Sequence, residues 1–336
     1  MTSWAATIAL YRWCSINLLV RMKGKLWGMT EGSLICCGWV AVGMLLQQLS
    51  GPVRWDMMAW PVNAVILAVL LLCIVLMHLL RGRVRLFRWM STLQAGIPAM
   101  VACAMMTVLM GVTRQVPSGH VPTDPFGITS MLSFWPFVLT YVWLTLLVGL
   151  VCMTRLFHPS WRNVPFLLNH LGLFLALVAG TLGNADMQRL FVTVQEGKTE
   201  SRAVDARHRV HELPIAIELH DFSMTESPML KFSSDVTVHT KSGIAVRDTI
   251  LVNKPLSVRG WKIYQYSYDE ERGNASEISV FELVRDPWLP YVYCGIFMML
   301  AGALNVFFRA PLRHLQGEEN ESLPSERFGG GRDLLI

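Results

Sequence analysis

The chain has 336 residues, of which 53% are hydrophobic and only 16% are charged. This composition is too apolar for an ordinary soluble domain and predicts a polytopic membrane protein. The formal net charge of +5 comes from the segments that flank the predicted spans. It therefore gives no argument for nucleic-acid binding, and no nucleic-acid partner is predicted.

A membrane-spanning helix needs about 20 mainly apolar residues. Six segments meet this requirement, at residues 33–49, 62–80, 95–112, 134–153, 164–183 and 289–308. The first is the weakest of the six, because Gln47 and Gln48 lie near its end. We therefore predict five spans within residues 1–183, a sixth at residues 289–308, and a tail at residues 309–336.

The basic residues predict the orientation of these spans, since Lys and Arg in short loops favour the cytoplasmic side. With the N-terminus inside, the short outer loops contain only Arg54 and Arg114. The inner segments contain Arg12, Arg21, Lys23, Lys25, Arg81, Arg83, Arg85, Arg88, Arg155, Arg162, Arg309, Arg313, Arg327 and Arg332. Both termini are predicted to be cytoplasmic and residues 184–288 to be extracytoplasmic.

Residues 184–288 change from continuous apolar sequence to alternation. In LPIAIELHDF, Ile215, Ile217 and Leu219 share one face, as in a half-buried strand. DVTVHT, AVRDTILVN, WKIYQYSY and EISVFELV repeat this pattern between turn signals. The predicted fold is thus an α-helical membrane protein of about six spans, with an extracytoplasmic all-β, sandwich-like domain inserted before the last span.

Cysteine placement and the motifs exclude several kinds of chemistry. All seven cysteines lie in or beside the spans, so the β domain has no disulfide scaffold. The β domain also contains no phosphate-binding loop, no nucleophile elbow and no H-E-x-x-H motif. No catalytic residue is predicted.

His170 is the first candidate binding residue. It lies six residues into the span at 164–183, which is about 9 Å along a helix. An ionisable group at this depth should face a cavity, a partner or a ligand, and imidazole is a common axial ligand of haem iron. The alternative is a histidine hydrogen-bonded to a neighbouring helix, through Asn169 for example.

His78 is a weaker candidate, at the cytoplasmic end of the second span. There a histidine can also reach headgroups or water. His78 and His170 are predicted on the same membrane side, so that a bis-histidine haem within one chain is conceivable. His120, in the loop PSGHVPTDPFG, is predicted on the opposite side and is interpreted as a turn residue.

The helical period places two different faces on the fifth span. His170, Phe174, Leu177 and Thr181 share one face, and Gly172, Ala176, Ala179 and Gly183 cluster on the other. Small residues allow close helix packing in membranes. We therefore expect the small face to pack on the chain's own bundle, and the His170 face to meet a partner or haem.

Several segments resemble the ResB-like family, also called CcsB, of System II cytochrome c biogenesis: NHLGLFLALVAGTLG, LPIAIELHDFSM, KFSSDVTVHTKSG, LVNKPLSVRGWKIYQYSYD and VRDPWLPYVYCGIFMMLAGAL. The resemblance covers about residues 164–308. The positions that carry it in the β domain are Asn253, Pro255, Leu256, Gly260, Tyr264, Gln265, Tyr268 and Asp269.

The resemblance implies a non-catalytic subunit of a cytochrome c synthase (haem lyase) complex in the bacterial cytoplasmic (inner) membrane. Such a subunit works with a CcsA-type membrane partner to carry haem b outward and present it to apocytochrome c. Thiol-reducing biogenesis proteins are further expected partners. His170 matches the family histidine regarded as an axial haem ligand. The tryptophan-rich haem-handling loop of the CcsA partner is not found here, which implies a separate partner chain.

Two other classes remain open from the residues alone. A membrane redox protein with a resident bis-histidine haem would carry haem without any partner. A sensor would need a signalling region. A transporter would need inverted repeats or broken polar helices, and no repeat between the halves is visible.

Overall fold

The computed structural model describes residues 27–116, 122–158, 160–225 and 231–321. His120 and Cys14 lie outside these ranges. The described helices are α1 (Met29–Ser50), α2 (Val62–Leu80), α3 (Arg85–Met90), α4 (Leu93–Val112), α5 (Trp135–Leu156), α6 (Val164–Gly183) and α7 (Leu289–Glu321). All but the short α3 contain a stretch of about 20 mainly apolar residues, long enough to cross a membrane. The six predicted spans are confirmed, and the chain is an integral membrane protein.

Helix α5 is the centre of the bundle, since it packs against α1, α2, α4 and α6. It is also the most buried of the spans. The closest helix pair is α6 with α7, where Gly172 of α6 faces Gly295 and Met298 of α7. A Cβ atom at Gly172 would lie 2.6 Å from the carbonyl oxygen of Gly295. The small-residue face of α6 therefore packs within the chain's own bundle, as expected.

The inserted domain is all-β, as predicted. Its strands are β1 (Gln188–Gln195), β2 (Thr199–Asp205), β3 (Val210–Thr225), β4 (Lys231–Thr240), β5 (Ala245–Leu251), β6 (Leu256–Val258), β7 (Trp261–Tyr268) and β8 (Ile278–Arg285). They form one antiparallel sheet in the order β5-β4-β3-β2-β1-β8-β7-β6. Alternate residues of these strands, among them Ile217, Val238 and Phe281, are fully buried in a common core.

This sheet coils on itself rather than forming two stacked sheets. The edge strand β5 lies beside β6 and β7, so the two ends of the sheet approach each other. Arg259, in the β6–β7 turn, donates a hydrogen bond of 2.6 Å from Nη2 to Ser242 Oγ in the β4–β5 turn. The domain is therefore a nearly closed barrel, in which one sheet supplies both walls of the core.

The alternating pattern identified five of the eight strands. A bulge in β7 then changes the orientation of its last residue. The register against β8 shifts between Gln265 and Ser267, and the extra residue reverses the alternation beyond it. Tyr268 consequently stacks on Phe222, with ring centroids 5.1 Å apart, instead of sharing a face with Tyr266.

Candidate functional site

His170 lies in the first half of α6 and is partly buried. Its Nδ1 atom is 2.9 Å from the carbonyl oxygen of Phe166, one helical turn earlier. The Phe166 ring stacks on the imidazole at a centroid distance of 3.8 Å. The Arg155 guanidinium lies over the Phe166 ring, 5.1 Å from its centroid. Two contacts thus fix the orientation of the imidazole ring.

The bond to a carbonyl oxygen also determines the tautomer. Because a carbonyl oxygen only accepts, Nδ1 carries the proton and Nε2 presents a lone pair. Metal-ligating histidines usually have this arrangement, in which the second nitrogen donates to a carbonyl or carboxylate. Within the described part of the chain, Nε2 has no hydrogen-bond partner. The Nε2 atom of His170 can therefore act as a ligand to a metal ion.

His78 lies in the last turn of α2 and is only 9% exposed. The ring stacks on Phe157, with centroids 4.7 Å apart. It is therefore buried in the protein, and does not extend to headgroups or water as its position near the span end suggested. Its Nδ1 atom is buried and has no hydrogen-bond partner among the described residues. A buried unpaired imidazole nitrogen is unfavourable and is rare in folded proteins.

Gly149 of α5 brings the two histidine-bearing helices together. A Cβ atom at Gly149 would lie 2.5 Å from Ile74 of α2 and 2.8 Å from Phe174 of α6. His78 follows Ile74 by one turn, and His170 precedes Phe174 by one turn. Since α2 and α6 run in opposite directions, both histidines lie on the same side of Gly149, toward the bundle end remote from the β domain.

The face of α6 that carries His170 is partly covered by the chain itself. Phe174 packs on Gly149, and Tyr141 of α5 donates a 3.0 Å hydrogen bond to the carbonyl oxygen of Leu177. We had expected this face to be free for a partner or haem. The structure instead packs its middle against α5, because glycine at position 149 leaves room for the Phe174 ring.

A cavity of about 860 Å³ lies on the β-domain side of the Gly149 crossing. Its walls come from α2, α6, the start of α7 and the strand ends that adjoin the bundle. The lining residues are Trp60, Ala64, Leu67, Leu71, Phe174, Leu175, Val178, Ala179, Asp186, Gln188, Arg285, Pro287, Trp288 and Tyr291. The sequence did not reveal this cavity, because its lining comes from three segments far apart in the chain.

Asp186 connects those three segments. Its Oδ1 accepts a 2.7 Å hydrogen bond from the backbone N–H of Trp60, and its Oδ2 accepts 2.7 Å bonds from Asn63 Nδ2 and Trp288 Nε1. Burial raises the pKa of this carboxyl, but the three hydrogen bonds outweigh burial and hold the pKa below the ordinary value of 3.8. The ionised carboxylate therefore holds α2, α6 and α7 together where they meet the β domain.

The eight positions that carry the family resemblance in the β domain do not form one pocket. Asn253 and Pro255 lie in the β5–β6 connection, and Leu256 is buried in the barrel core. Gly260 has a φ of 83° in the tight β6–β7 turn, a conformation that favours glycine. Tyr264 is half-buried on β7. These residues shape the edge where the barrel nearly closes.

The remaining resemblance positions also have structural contacts. Gln265 Oε1 accepts a 2.7 Å hydrogen bond from Ser234 Oγ across the barrel interior. Tyr268 belongs to an aromatic stack with Phe222 and Phe232. Asp269 lies within 3.7 Å of Arg272 in the following turn. Nothing in the described β domain brings these residues to His170.

The described ranges were also compared with the ligand sets of protein metal sites that use several side chains. They contain no group of three or more His, Cys, Asp or Glu residues arranged to hold a metal ion. The cysteines found there are all free thiols.

Comparisons with known proteins agree with the resemblance. The sequence model of the ResB-like family matches residues 159–277. Protein NrfI of Wolinella succinogenes is 30% identical over 98 residues, which cover 27% of this chain and 10% of NrfI. The chain thus spans about a tenth of the length of that curated relative. The solved cytochrome c haem lyase CcmF is 13% identical over 63% of this chain and 34% of CcmF, with a TM-score of 0.31.

A TM-score this low carries no argument about fold or function. The likeness to known proteins therefore rests on the family match and the NrfI alignment. The match begins before α6 and extends through β7. Residues 159–277, which contain His170 and all eight resemblance positions, therefore match the ResB-like family model, and this match confirms the resemblance found in the sequence.

Proposed function

We propose that this protein is the ResB-like component of a cytochrome c biogenesis system. It carries haem b outward across the membrane, together with a CcsA-type partner, and presents haem to apocytochrome c. The chain itself contributes binding and orientation rather than catalysis. The family match supports the biogenesis role, and the partner and the cargo are the parts of this proposal that need testing.

The observation that carries the proposal is the state of His170. Its Nδ1–H is committed to the carbonyl of Phe166, and its Nε2 lone pair is free within a membrane span. Nε2 is not among the buried unpaired polar atoms, so it reaches the surface of the bundle, where a partner or a ligand has access to it. A haem iron would take the Nε2 lone pair, and the partner would supply the opposite axial ligand.

The test is the absorption spectrum of the purified full chain, alone and co-expressed with a CcsA-type partner. We expect a b-type haem spectrum that requires the partner and is lost or shifted in His170→Ala. His239→Ala is the control, since His239 lies in the β domain, where its Nε2 is 2.8 Å from Glu218 Oε2. An unchanged spectrum in His170→Ala would refute the assignment of the ligand.

A second candidate is a membrane redox protein with a resident bis-histidine haem. The observation in its favour is His78, whose buried Nδ1 has no partner among the described residues and which lies at the level of His170. In this case the lone chain would carry haem, and His78→Ala would abolish the spectrum as completely as His170→Ala. If His78→Ala leaves the haem spectrum unchanged, the second axial ligand comes from elsewhere and this candidate fails.

We also propose a location in the bacterial cytoplasmic (inner) membrane, with both termini cytoplasmic and the β domain outside. The barrel then has access to apocytochrome c and to thiol-reducing biogenesis proteins. Single cysteines placed in the β4–β5 turn and in the connection between α2 and α3 test this orientation. An impermeant maleimide added to intact cells should label only the first.

A further inference from the structure

The cavity beside α2 and α6 carries one charge of each sign at the end that adjoins the β domain. Arg285, the last residue of β8, and Asp186, in the connection between α6 and β1, both line it. Among the described residues no carboxylate, Asp186 included, forms a salt bridge with Arg285, whose guanidinium carbon lies 5.9 Å from the centre of the Trp261 ring. The two charges cancel in the net charge of the lining, yet each is left to bind a separate group.

Asp186 has room for a further hydrogen-bond donor. A carboxylate has about four lone-pair positions, and the described donors use one at Oδ1 and two at Oδ2. The same hydrogen bonds hold the pKa of this carboxyl below 3.8, so the group is an anion at neutral pH. Gln188 pairs directly with Arg285 across β1 and β8 and adds an amide donor to the lining.

Aromatic residues place this charged end at the surface of the membrane. Trp60, Trp288 and Tyr291 line the cavity, and Trp60 and Tyr291 are more than half exposed. Tryptophan and tyrosine are enriched at the level of the lipid headgroups. Asp186 follows the last residue of α6 by three positions, and Arg285 precedes the first residue of α7 by four. Both charges therefore lie at the headgroup level on the β-domain side.

The rest of the wall, from α2 and α6, is apolar and extends about half-way across the membrane. Leu71 and Phe174 lie nine residues from the β-domain ends of their helices, which is about 14 Å along a helix. The hydrocarbon core of a bilayer is about 30 Å thick, so the wall is as deep as one leaflet. Beyond that depth Ile74 and Phe174 both approach Gly149 and end the cavity.

The size and opening of the cavity suit part of a lipid molecule. Its volume of about 860 Å³ lies in the range of about 300–1,000 Å³ typical of small-molecule sites. The cavity is open on one side, and Leu71 at its deep end is 44% exposed. Because the opening lies within the span of α2, a ligand can enter sideways from the bilayer with its acyl chain against the helices.

We propose that this cavity binds one zwitterionic phospholipid from the leaflet on the β-domain side. The lipid phosphate accepts charge-assisted hydrogen bonds at Arg285 and Gln188, and the lipid ammonium donates to Asp186. Charge complementarity favours this occupant over an anionic phospholipid, which would leave Asp186 without a cation. Since Arg285 belongs to the barrel and Asp186 joins the helices, the headgroup would connect the two regions. This site involves no haem and therefore goes beyond the proposed function.

Native mass spectrometry of the purified, delipidated full chain tests this proposal. The chain is titrated in detergent with phosphatidylethanolamine, which is zwitterionic, and in parallel with phosphatidylglycerol, which is anionic and has the same acyl chains. We expect one phosphatidylethanolamine to bind per chain, with a half-saturating concentration about tenfold below that of phosphatidylglycerol. This factor corresponds to one charge-assisted hydrogen bond at Asp186. Equal binding of the two lipids would overturn the proposal.

The headgroup contact is tested by Arg285→Gln. This change should raise the half-saturating concentration of phosphatidylethanolamine by about tenfold, for the same reason. Arg189→Gln is the control, because Arg189 pairs with Glu282 at 2.9 Å and does not line the cavity. Equal affinities in the two variants would refute the assignment of the phosphate to Arg285.

The apolar wall is tested by Leu71→Trp, which fills the deep end of the cavity. Leu72→Trp is the matched control, since the neighbouring leucine is similarly exposed (56%, against 44% for Leu71) and does not line the cavity. Leu71→Trp should abolish the single tight binding event, and Leu72→Trp should leave it unchanged. If both variants retain it, the lipid lies elsewhere on the bundle and the proposal fails.

Discussion

The β domain and the membrane bundle differ in how completely their buried polar atoms are hydrogen-bonded. Inside the barrel, Ser234 Oγ lies 2.7 Å from Gln265 Oε1 and 3.0 Å from Ser279 Oγ, so these groups satisfy one another. In the bundle, His78 Nδ1 is buried without a partner among the described residues, as are the indole N–H groups of Trp39 and Trp89 and the Oδ1 atom of Asn305. Of these atoms, the imidazole nitrogen and the amide oxygen have lone pairs to offer, and the two indole N–H groups can only donate.

The two regions also differ in packing. The barrel core is filled by large aliphatic and aromatic side chains such as Ile263, Phe281 and Leu283, all fully buried. The bundle leaves a large cavity between α2 and α6. Close packing with satisfied hydrogen bonds indicates a scaffold. The bundle departs from this pattern at His78 and at the cavity, whereas the barrel residues that carry the family resemblance pack as parts of the scaffold.

The largest expected effect is at Asp186, which joins the two regions. Asp186→Ala should lower the free energy of unfolding by about 2–4 kcal/mol, because it removes the acceptor for three donors, one of them the fully buried Asn63. Thermal unfolding in detergent, followed by circular dichroism, measures this. Asp248→Ala, at a carboxylate on β5 whose side chain is 42% exposed, should change little. Equal losses in the two variants would contradict the role of Asp186.

The same contact predicts a pH dependence. The pKa of Asp186 is lower in the folded protein than its ordinary value of 3.8, so folding favours the carboxylate. Its contribution to stability is therefore complete above about pH 4 and is lost as the pH falls through the folded-state pKa. Between mildly acidic and neutral pH, the difference in unfolding temperature between wild type and Asp186→Ala should stay constant. It should shrink only in more acidic solution.

The sequence predicted the bundle better than the barrel edge. Spans α2 and α6 begin and end where their apolar runs do, because twenty apolar residues in a row have few alternatives to a membrane helix. Strand β1 alternates, with Leu190, Val192 and Val194 buried, but it lies outside the predicted strands. Strand β2, TESRAVD, has one buried residue, and β6 has three residues in all. Neither contains a pattern long enough to predict a strand.

Gly149 should show a smaller effect with an informative control. Gly149→Ala places a Cβ 2.5 Å from Ile74 and 2.8 Å from Phe174, and such overpacking costs about 1–3 kcal/mol. Gly180→Ala, with no atom near the new Cβ, should instead be neutral or stabilising by up to about 1 kcal/mol, since alanine favours helix. A lower unfolding temperature in Gly149→Ala, together with an unchanged or higher one in Gly180→Ala, would establish the close crossing of α2 and α6. A destabilised Gly180→Ala would remove that contrast.

Part of the candidate site could be predicted from the sequence, and part could not. His170 could be identified from the sequence alone, because it is an ionisable residue within a run of apolar residues. The free state of its Nε2, the burial of His78 and the cavity depend on contacts between helices that are distant in sequence. Gly149 carried no signal of its own, since its importance comes from Ile74 and Phe174, 75 and 25 residues away.

The smallest effect is expected at the second contact between the two regions. Arg207, in the β2–β3 turn, lies 3.6 Å from Asp56 in the α1–α2 connection, and both side chains are about half exposed. Exposed ion pairs contribute about 0–1 kcal/mol and are screened by salt. Arg207→Ala should therefore lower the unfolding temperature slightly at low salt and not at all at high salt. A loss as large as that of Asp186→Ala, or one that persists at high salt, would mean that the barrel is held on the bundle through this turn rather than through the buried carboxylate.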